Sequence, residues 1–450
     1  MYNLIMRTQE IPRSWALIDL RMLYKRGDAS DPQNYRGIAL LNSLPKLFTS
    51  ILLNRLNTWA ENKLTEEQSG FRRKRGCTDN LFVLASVISL RLLNNNPFFA
   101  IFVDFRKAFD LISHRILWQK LIKLGVGTRL TKIIKCLYDN AKFCVSTTLE
   151  STTDFEVTSG VLQGEPLSPL FFNLFINDIV QFFESQGASS LSIDRNNRLL
   201  LLSYADDIVL FASSLPDINE KLSILEKYCY ENSLFVNSAK TKIVYFSRST
   251  RPKKFRSVYF SGERIEFVNS FNYLGLPFSS TGKFFQAYHY FSAKGNMAIT
   301  RVHKLLVKSQ TSDTKVRDKL LNALVKSTLL YAGEIWAFNY FSEIEKVQLK
   351  FIKQIYNISK FTPNSFVRLE HSLVPLKVQV FKSMIRFTIK ILEMPATRLP
   401  RICFDALYAR DSRPFNRIRY NWVTQLKEML ISIGSCSRTD SESRTLKSSN

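Results

Sequence analysis

The sequence has only 15 Gly and 14 Pro in 450 residues, too few for a collagen-like or linker protein. Its cysteines stand at 77, 136, 144, 229, 403 and 436, with no C-x-x-C pair among them. That spacing argues against a zinc ribbon or knuckle and against a disulfide scaffold, and it fits a reducing, intracellular compartment. The N-terminus, MYNLIMRTQEIPRSW, lacks the long apolar core of a signal peptide. The most apolar stretch, Leu170 to Phe183, is broken by Asn173, Asn177 and Asp178, too short and too polar to span a bilayer. No internal repeat is found. Acidic residues are scarce, 38 against 63 Lys plus Arg, leaving a net charge of +25. Such a surplus calls for a polyanionic partner, most simply nucleic acid, with a generic basic protein or a membrane-surface binder as the competing readings. What is plentiful is apolar matter: 45% of the chain, with 35 Phe, enough for a large core and against disorder.

The pattern along the chain is mixed. The first hundred residues read as mainly helical: Leu44, Leu47, Phe48, Ile51, Leu52 and Leu56 recur at helical spacing, and a second helix spans roughly 79–93 before Asn94-Asn95-Asn96-Pro97. Between them, residues 65–78 form a polar loop. Phe98 to Val103 is a continuous apolar run, the mark of a buried strand, and it ends at Asp104. A helix-like stretch with Phe109, Ile112, Ile116, Leu117, Leu121 and Leu124 follows, then a hairpin at 143–145 and 155–158. Pro166 opens an apolar helix to about Phe183. Apolar strands at 199–202 and 208–212 flank Tyr204-Ala205-Asp206-Asp207, with further strands near 243–246 and 273–276. From residue 286 helices dominate, and that part holds 27 of the basic and 12 of the acidic residues. The fold class is α+β with one central sheet. The tail 432–450, rich in Ser, Thr and Arg, is expected to be disordered.

Asp206 and Asp207 lie between two wholly apolar strands, and acids so placed are costly unless something neutralises them. Asp104 repeats the arrangement. If the strands are neighbours, three carboxylates converge at one sheet edge, the hard-oxygen donor set that suits Mg²⁺. Taken singly, each acid reads as a turn residue or helix cap.

At these residues a resemblance emerges. Asp104-Phe105-Arg106-Lys107-Ala108-Phe109-Asp110 resembles the first catalytic motif of reverse transcriptases from non-LTR (LINE-like) retrotransposons. Gly160-Val161-Leu162-Gln163-Gly164-Glu165-Pro166-Leu167-Ser168-Pro169 resembles the second, and Tyr204-Ala205-Asp206-Asp207 the third. Asn237 with Lys240-Thr241-Lys242 is similar to the fourth, and Tyr273-Leu274-Gly275 to the fifth. Asn34 to Asn42 and Gln68-Ser69-Gly70-Phe71-Arg72 resemble the fingers motifs, and Tyr331 to Trp336 and Leu349 to Leu376 the downstream segments. The resemblance runs in order over nearly the whole chain.

The resemblance implies a right-hand polymerase: fingers and part of an N-terminal extension at 1–97, a palm of antiparallel sheet and packed helices at 98–285, and a basic helical thumb with trailing helices at 286–431. It implies an RNA-directed DNA polymerase that uses an RNA template, a DNA primer, dNTPs and two Mg²⁺ ions, with Mn²⁺ as a substitute. Asp104, Asp206 and Asp207 would hold the metals, joined by the carbonyl of Phe105. Lys240 would protonate pyrophosphate, with Lys242 the neighbouring candidate. Arg36, Phe109, Gln163 and Gly164 would meet the nucleotide, Phe109 excluding a 2′-OH. Gln68, Gly70, Phe71 and Arg72 would touch the template, and Tyr273, Leu274 and Gly275 would grip the primer.

Some features depart from the family pattern. Gly37 stands where Pro is usual, which would loosen a fingers loop, and Glu165 replaces Asp with its charge kept. No Cys/His knuckle follows the thumb. No endonuclease segment precedes residue 1, so an N-terminally truncated element is expected, with nicking supplied from elsewhere. The competing functional reading is a catalytically silent nucleic-acid-binding remnant. Phe109 and Ala205 argue against a viral RNA polymerase, and the lack of a maturase-like end argues against an intron maturase. Action on genomic DNA would imply the nucleus.

Overall fold

Six consecutive apolar residues, Phe98–Val103, need cover on both faces, and in the computed structural model all six are buried. The structure describes residues 1–146, 152–249, 251, 253–311, 313–411 and 421–434; most of the tail expected to be disordered, 435–450, lies outside the described residues.

In chain order the strands are β1 (Leu17–Tyr24), β2 (Tyr35–Leu40), β3 (Phe98–Val103), β4 (Lys142–Val145), β5 (Phe155–Glu156), β6 (Leu191–Ser192), β7 (Arg198–Leu199), β8 (Leu201–Tyr204), β9 (Asp207–Ala212), β10 (Lys242–Phe246), β11 (Val258–Phe260), β12 (Glu263–Val268), β13 (Ser270–Tyr273) and β14 (Leu276–Ser279). The central sheet has six strands in the order β11-β12-β10-β3-β9-β8. Its pairings are antiparallel except β10 with β12, which is parallel.

Side chains alternate across a strand, so β3 feeds two cores. Phe99, Ile101 and Val103 join Phe171, Phe175 and Leu225 on one face. Phe98, Ala100 and Phe102 join Phe82, Phe211 and Trp336 on the other. The second core also takes in the helix Cys77–Leu93 and the C-terminal helices. The C-terminal part is therefore seated against the back of the sheet. No helix among the described residues is long and apolar enough to cross a membrane.

Four expectations need correction. The first hundred residues contain β1 and β2, which form a second sheet in the order β2-β1-β4-β5. β1 is paired in parallel with residues 142–145, a partner too distant in sequence for local periodicity to register. The helix expected over 166–183 is two, Ser168–Phe175 and Ile179–Ser185. Polar residues at the break are tied outward: Asn177 Oδ1 accepts from Thr65 N at 3.0 Å, and Asp178 Oδ1 accepts from Lys120 Nζ at 2.7 Å. The helix after Asp104 begins only at His114, leaving Phe109 in the preceding turns. The strand expected near 273–276 is the tip of the hairpin β13–β14.

Candidate active site

Tyr204 closes β8 and Asp207 opens β9, and the two are paired, so Ala205 and Asp206 form a two-residue connection. Ala205 has φ 54, a left-handed conformation that a residue with a Cβ seldom takes and that persists only where neighbours enforce it. Those neighbours come from the 65–76 loop. Gln68 Oε1 accepts from Ala205 N at 2.9 Å and from Gly70 N at 2.8 Å, while Gln68 Nε2 donates to Ser203 Oγ at 2.9 Å. Ser69 N donates to Ser203 O at 3.0 Å, and Ser203 N donates to Glu67 O at 2.9 Å. Residues 67–70 thus lie along β8 as an added edge. A Cβ on Gly70 would stand 2.3 Å from Ala205 N, so only glycine allows this approach.

The register Val103↔Ile208 sets Asp104, one residue past β3, across from Asp207. Asp104 is pinned by its backbone: its N–H donates to Thr241 Oγ1 at 3.2 Å, and its C=O accepts from Asn237 N at 2.7 Å. Arg106 N donates to Phe235 O at 2.7 Å. These bonds flank the Phe105–Val236 bridge and do not use the Phe105 carbonyl. Lys240 Nζ stands 3.8 Å from Asp104 Oδ2, whereas Lys242 is paired with Glu266 at 2.7 Å.

Loss of water pushes the carboxyls of Asp104, Asp206 and Asp207 above the usual range. Asp207 is pushed up to about 6, with Asp206 and Asp104 adding like-charge repulsion. Lys240 and Lys25 oppose the rise at Asp104, and Arg36 opposes it at Asp206. Among the described residues no three His, Cys, Asp or Glu side chains are gathered into a cluster ready to hold a metal. The donor chemistry nonetheless fits a hard divalent cation: three acids at one sheet end and an uncommitted carbonyl at Phe105.

Beside the acids, Phe109 is half-buried and stacked on Phe172 at 4.5 Å. Phe71, 61% exposed, brings its ring within 6.5 Å of Phe109 and 6.4 Å of Tyr204. Gln163 Nε2 donates to Asp110 Oδ1 at 2.6 Å, and its C=O accepts from Ala39 N at 2.6 Å. Gly164, at φ 117, is pressed so closely on Ala39 that a Cβ would lie 2.5 Å from the Ala39 carbonyl. This loop is therefore fixed to β2, which carries the exposed Arg36. Lys25, next to β1, shares the field of Arg36, Asp110, Lys240 and Lys107; partial burial and then Arg36 lower its pKa. Nothing in the local sequence marked Lys25, because its company is assembled from three other segments.

A family model for reverse transcriptase (RNA-dependent DNA polymerase) matches residues 24–278, a span that contains every group just described. The chain belongs to the reverse transcriptase family. A probable RNA-directed DNA polymerase from transposon BS of Drosophila melanogaster is 26% identical over 78% of the chain, and the RNA-directed DNA polymerase from mobile element jockey of Drosophila funebris is 24% identical over 79%. A Pol polyprotein from the type-2 retrotransposable element R2DM of Drosophila melanogaster is 26% identical over 62%. These relatives place the chain with the reverse transcriptases of non-LTR retrotransposons. The chain spans 39% of the length of the transposon BS and jockey relatives. Among solved structures, apo telomerase from Candida tropicalis aligns with 91% of this chain and 69% of its own, at 13% identity and a TM-score of 0.46.

In this member of the family three side chains expected at template or primer are committed within the protein. Gln68 is buried and holds the Ala205 turn. Arg72 is buried too: Nη2 meets Glu61 Oε1 at 2.6 Å, and Nη1 donates to Thr65 O at 2.5 Å and Gln68 O at 2.9 Å. Tyr273 is buried against Phe102, with its hydroxyl accepting from Asn80 Nδ2 at 3.4 Å. Gly70 serves close approach. Phe71 remains open to a ligand, as does the tip Leu274-Gly275, at φ 44 and 84, where Tyr331 Oη donates to Leu274 O at 2.7 Å.

The loop that clamps the turn is itself held by an ion chain that sequence reading missed. Arg75 joins Glu61 and Glu66 at 3.5 and 2.7 Å. Arg398 joins Glu66 at 2.9 Å and buried Asp79 at 3.4 Å, and Lys390 meets Asp79 at 2.6 Å. The C-terminal helices thereby brace the loop that braces the turn.

Two expected departures change meaning. Gly37 lies within β2 opposite Met22, so a strand replaces the loosened loop expected there. Glu165 is buried, its Oε2 accepting from Ser168 Oγ at 3.1 Å, while its Oε1 finds no partner within hydrogen-bond distance among the described residues. Burial pushes this carboxyl up to about 7, so the kept charge is a liability. A raised acid lowers stability once pH passes its ordinary value of 4.5, and does so fully above about 7. Glu165→Gln should therefore leave stability unchanged near pH 4 and raise it near pH 8 by on the order of 2–3 kcal/mol, measured by denaturant unfolding. An equal effect at both pH values would remove ionisation as the cause.

Proposed function

We propose that the chain is an RNA-directed DNA polymerase that extends a primer 3′-OH with dNTPs on an RNA template. The observation that carries this reading is the register setting Asp104 across from Asp207, with Lys240 Nζ 3.8 Å from Asp104. Fingers, palm and thumb would correspond to 1–97, 98–285 and 286–431, with β4 and β5 added to the fingers sheet. Two Mg²⁺ ions, held by Asp104, Asp206, Asp207 and the Phe105 carbonyl, would activate the primer oxygen and stabilise the leaving oxygen when bound. Arg36 and Lys25 would meet the triphosphate, and Lys240 is the nearby cation able to give a proton to pyrophosphate. Gln163 and Gly164 would border the base, Phe71 the template, and Leu274-Gly275 the primer. Acting on genomic DNA would place the work in the nucleus.

Phe109, firm against Phe172, would exclude a ribose 2′-OH by contact. Phe109→Ala should raise ribonucleotide incorporation relative to dNTP by on the order of tenfold or more, since one excluded group in a pocket is worth about 1–3 kcal/mol. Unchanged sugar preference would end that assignment. The reading itself is tested by primer extension on a primed RNA. A folded protein that binds the hybrid yet adds nothing would be the silent remnant instead.

A further inference from the structure

The helix Phe285–Ser309 carries basic residues on both flanks of its buried stripe, which runs through Ala287, Phe291, Gly295, Ile299 and Val302. On one flank Lys294 and Arg301 line a hollow with Gly275 and Tyr331, beside the hairpin tip assigned to the primer. On the other flank His303 and Lys304 face a separate groove of about 870 Å³, walled by the helix Phe341–Ile355 and the segment after it.

Five lysines line that second groove, Lys304, Lys346, Lys350, Lys353 and Lys360, and no acidic residue lines it. Lys346 is paired with Glu343 at 2.6 Å. Lys350 Nζ donates to Asn296 Oδ1 at 2.8 Å, and Lys353 Nζ donates to the carbonyls of Lys360 and Thr362. Those partners are neutral, so their charge stays uncompensated. Like charges gathered in one concavity repel, and an anion relieves them. Phe361, next in sequence to the lining residue Lys360, is 83% exposed, with Lys360 Nζ 5.0 Å from its ring centre. A cationic groove with an exposed aromatic ring beside one of its lysines is a combination that binds single strands, through phosphates and base stacking. Gln354 and Asn357 in the lining add groups that can meet a 2′-OH.

We infer that this groove binds single-stranded RNA outside the primer–template hybrid. The inference rests on the polymerase reading only for the origin of the strand; its test needs no polymerisation. The full chain and its Lys304→Gln/Lys350→Gln/Lys360→Gln variant would be titrated with labelled oligo-uridylate at several salt concentrations, with unchanged circular dichroism confirming the fold. The variant should bind about tenfold or more weakly. Its log K against log salt slope should be shallower by about two, as expected for three lost phosphate contacts on a single strand. Phe361→Ala should weaken binding several-fold without changing the slope. Oligo-thymidylate should bind less well than oligo-uridylate, and hybrid affinity should change less than about twofold. Unchanged oligo-uridylate affinity would overturn the inference. Equal loss on the hybrid would also overturn it, making the lysines part of one general anionic surface. Phosphatidylserine vesicles that compete fully with the RNA would overturn it in favour of a membrane face. Failure of primer extension with this binding pattern intact would count against the polymerase reading alone.

Discussion

Asp206→Asn should abolish primer extension, lowering the rate by on the order of a thousandfold or more, while the affinity for a primer–template hybrid stays within about twofold. The substitution keeps size and shape and removes one negative charge from a place where burial, and then the Asp104 charge, already raise the Asp206 pKa, and where Asp206 in turn raises that of Asp207. The fold gains from losing that repulsion, so the melting temperature should hold or rise. What is lost is an oxygen donor for the cation that the acidic end of the sheet would hold. Rates come from single-turnover extension and affinity from fluorescence anisotropy on the same preparation. If binding fell in step with rate, Asp206 would be a structural residue.

Gly70→Ala should cost on the order of a hundredfold in extension rate with little change in the nucleotide KM. The added methyl would lie 2.3 Å from Ala205 N, a distance no packing tolerates. Either the 67–70 segment withdraws or the Ala205-Asp206 turn moves. Misplacement of reacting groups by about 1 Å carries a penalty of this size. Gln68→Ala attacks the same clamp without a clash. It leaves Ala205 N and Gly70 N without their acceptor, each worth about 1–3 kcal/mol if unsatisfied, so it should lower stability and rate together. Full activity in both variants would show that the loop does not hold the turn.

The chemistry-bearing motifs were legible because each is local. Continuous apolar runs ending in Asp104 and flanking Asp206-Asp207 announce buried strands with acids at their ends, and pairing across β3 and β9 then follows from their antiparallel register. The choice between Lys240 and Lys242 was open in the sequence and depends on Glu266, which reaches Lys242 only through the parallel pairing of β10 with β12. Contacts of long range were not legible. β1 and β2 are half-exposed strands whose sheet is completed by residues 142–145 and 155–156. Gln68, Arg72 and Tyr273 sit in motifs that suggest ligand contact, but only the packed chain shows their side chains occupied by Ala205, Glu61 and Phe102. Polarity in a motif does not say whether a group faces water, a substrate or another strand. Lys25 and the ion chain through Arg398 were invisible for the same reason.

The decisive measurement is extension of an end-labelled DNA primer annealed to RNA, with dNTPs and Mg²⁺, run on a preparation shown to bind that hybrid. Expected is product lengthened to the template end, lost on chelation of the metal and absent with Asp206→Asn. A folded chain that binds the hybrid with its acids intact and adds no nucleotide would contradict the assignment of this sheet edge as a polymerase centre.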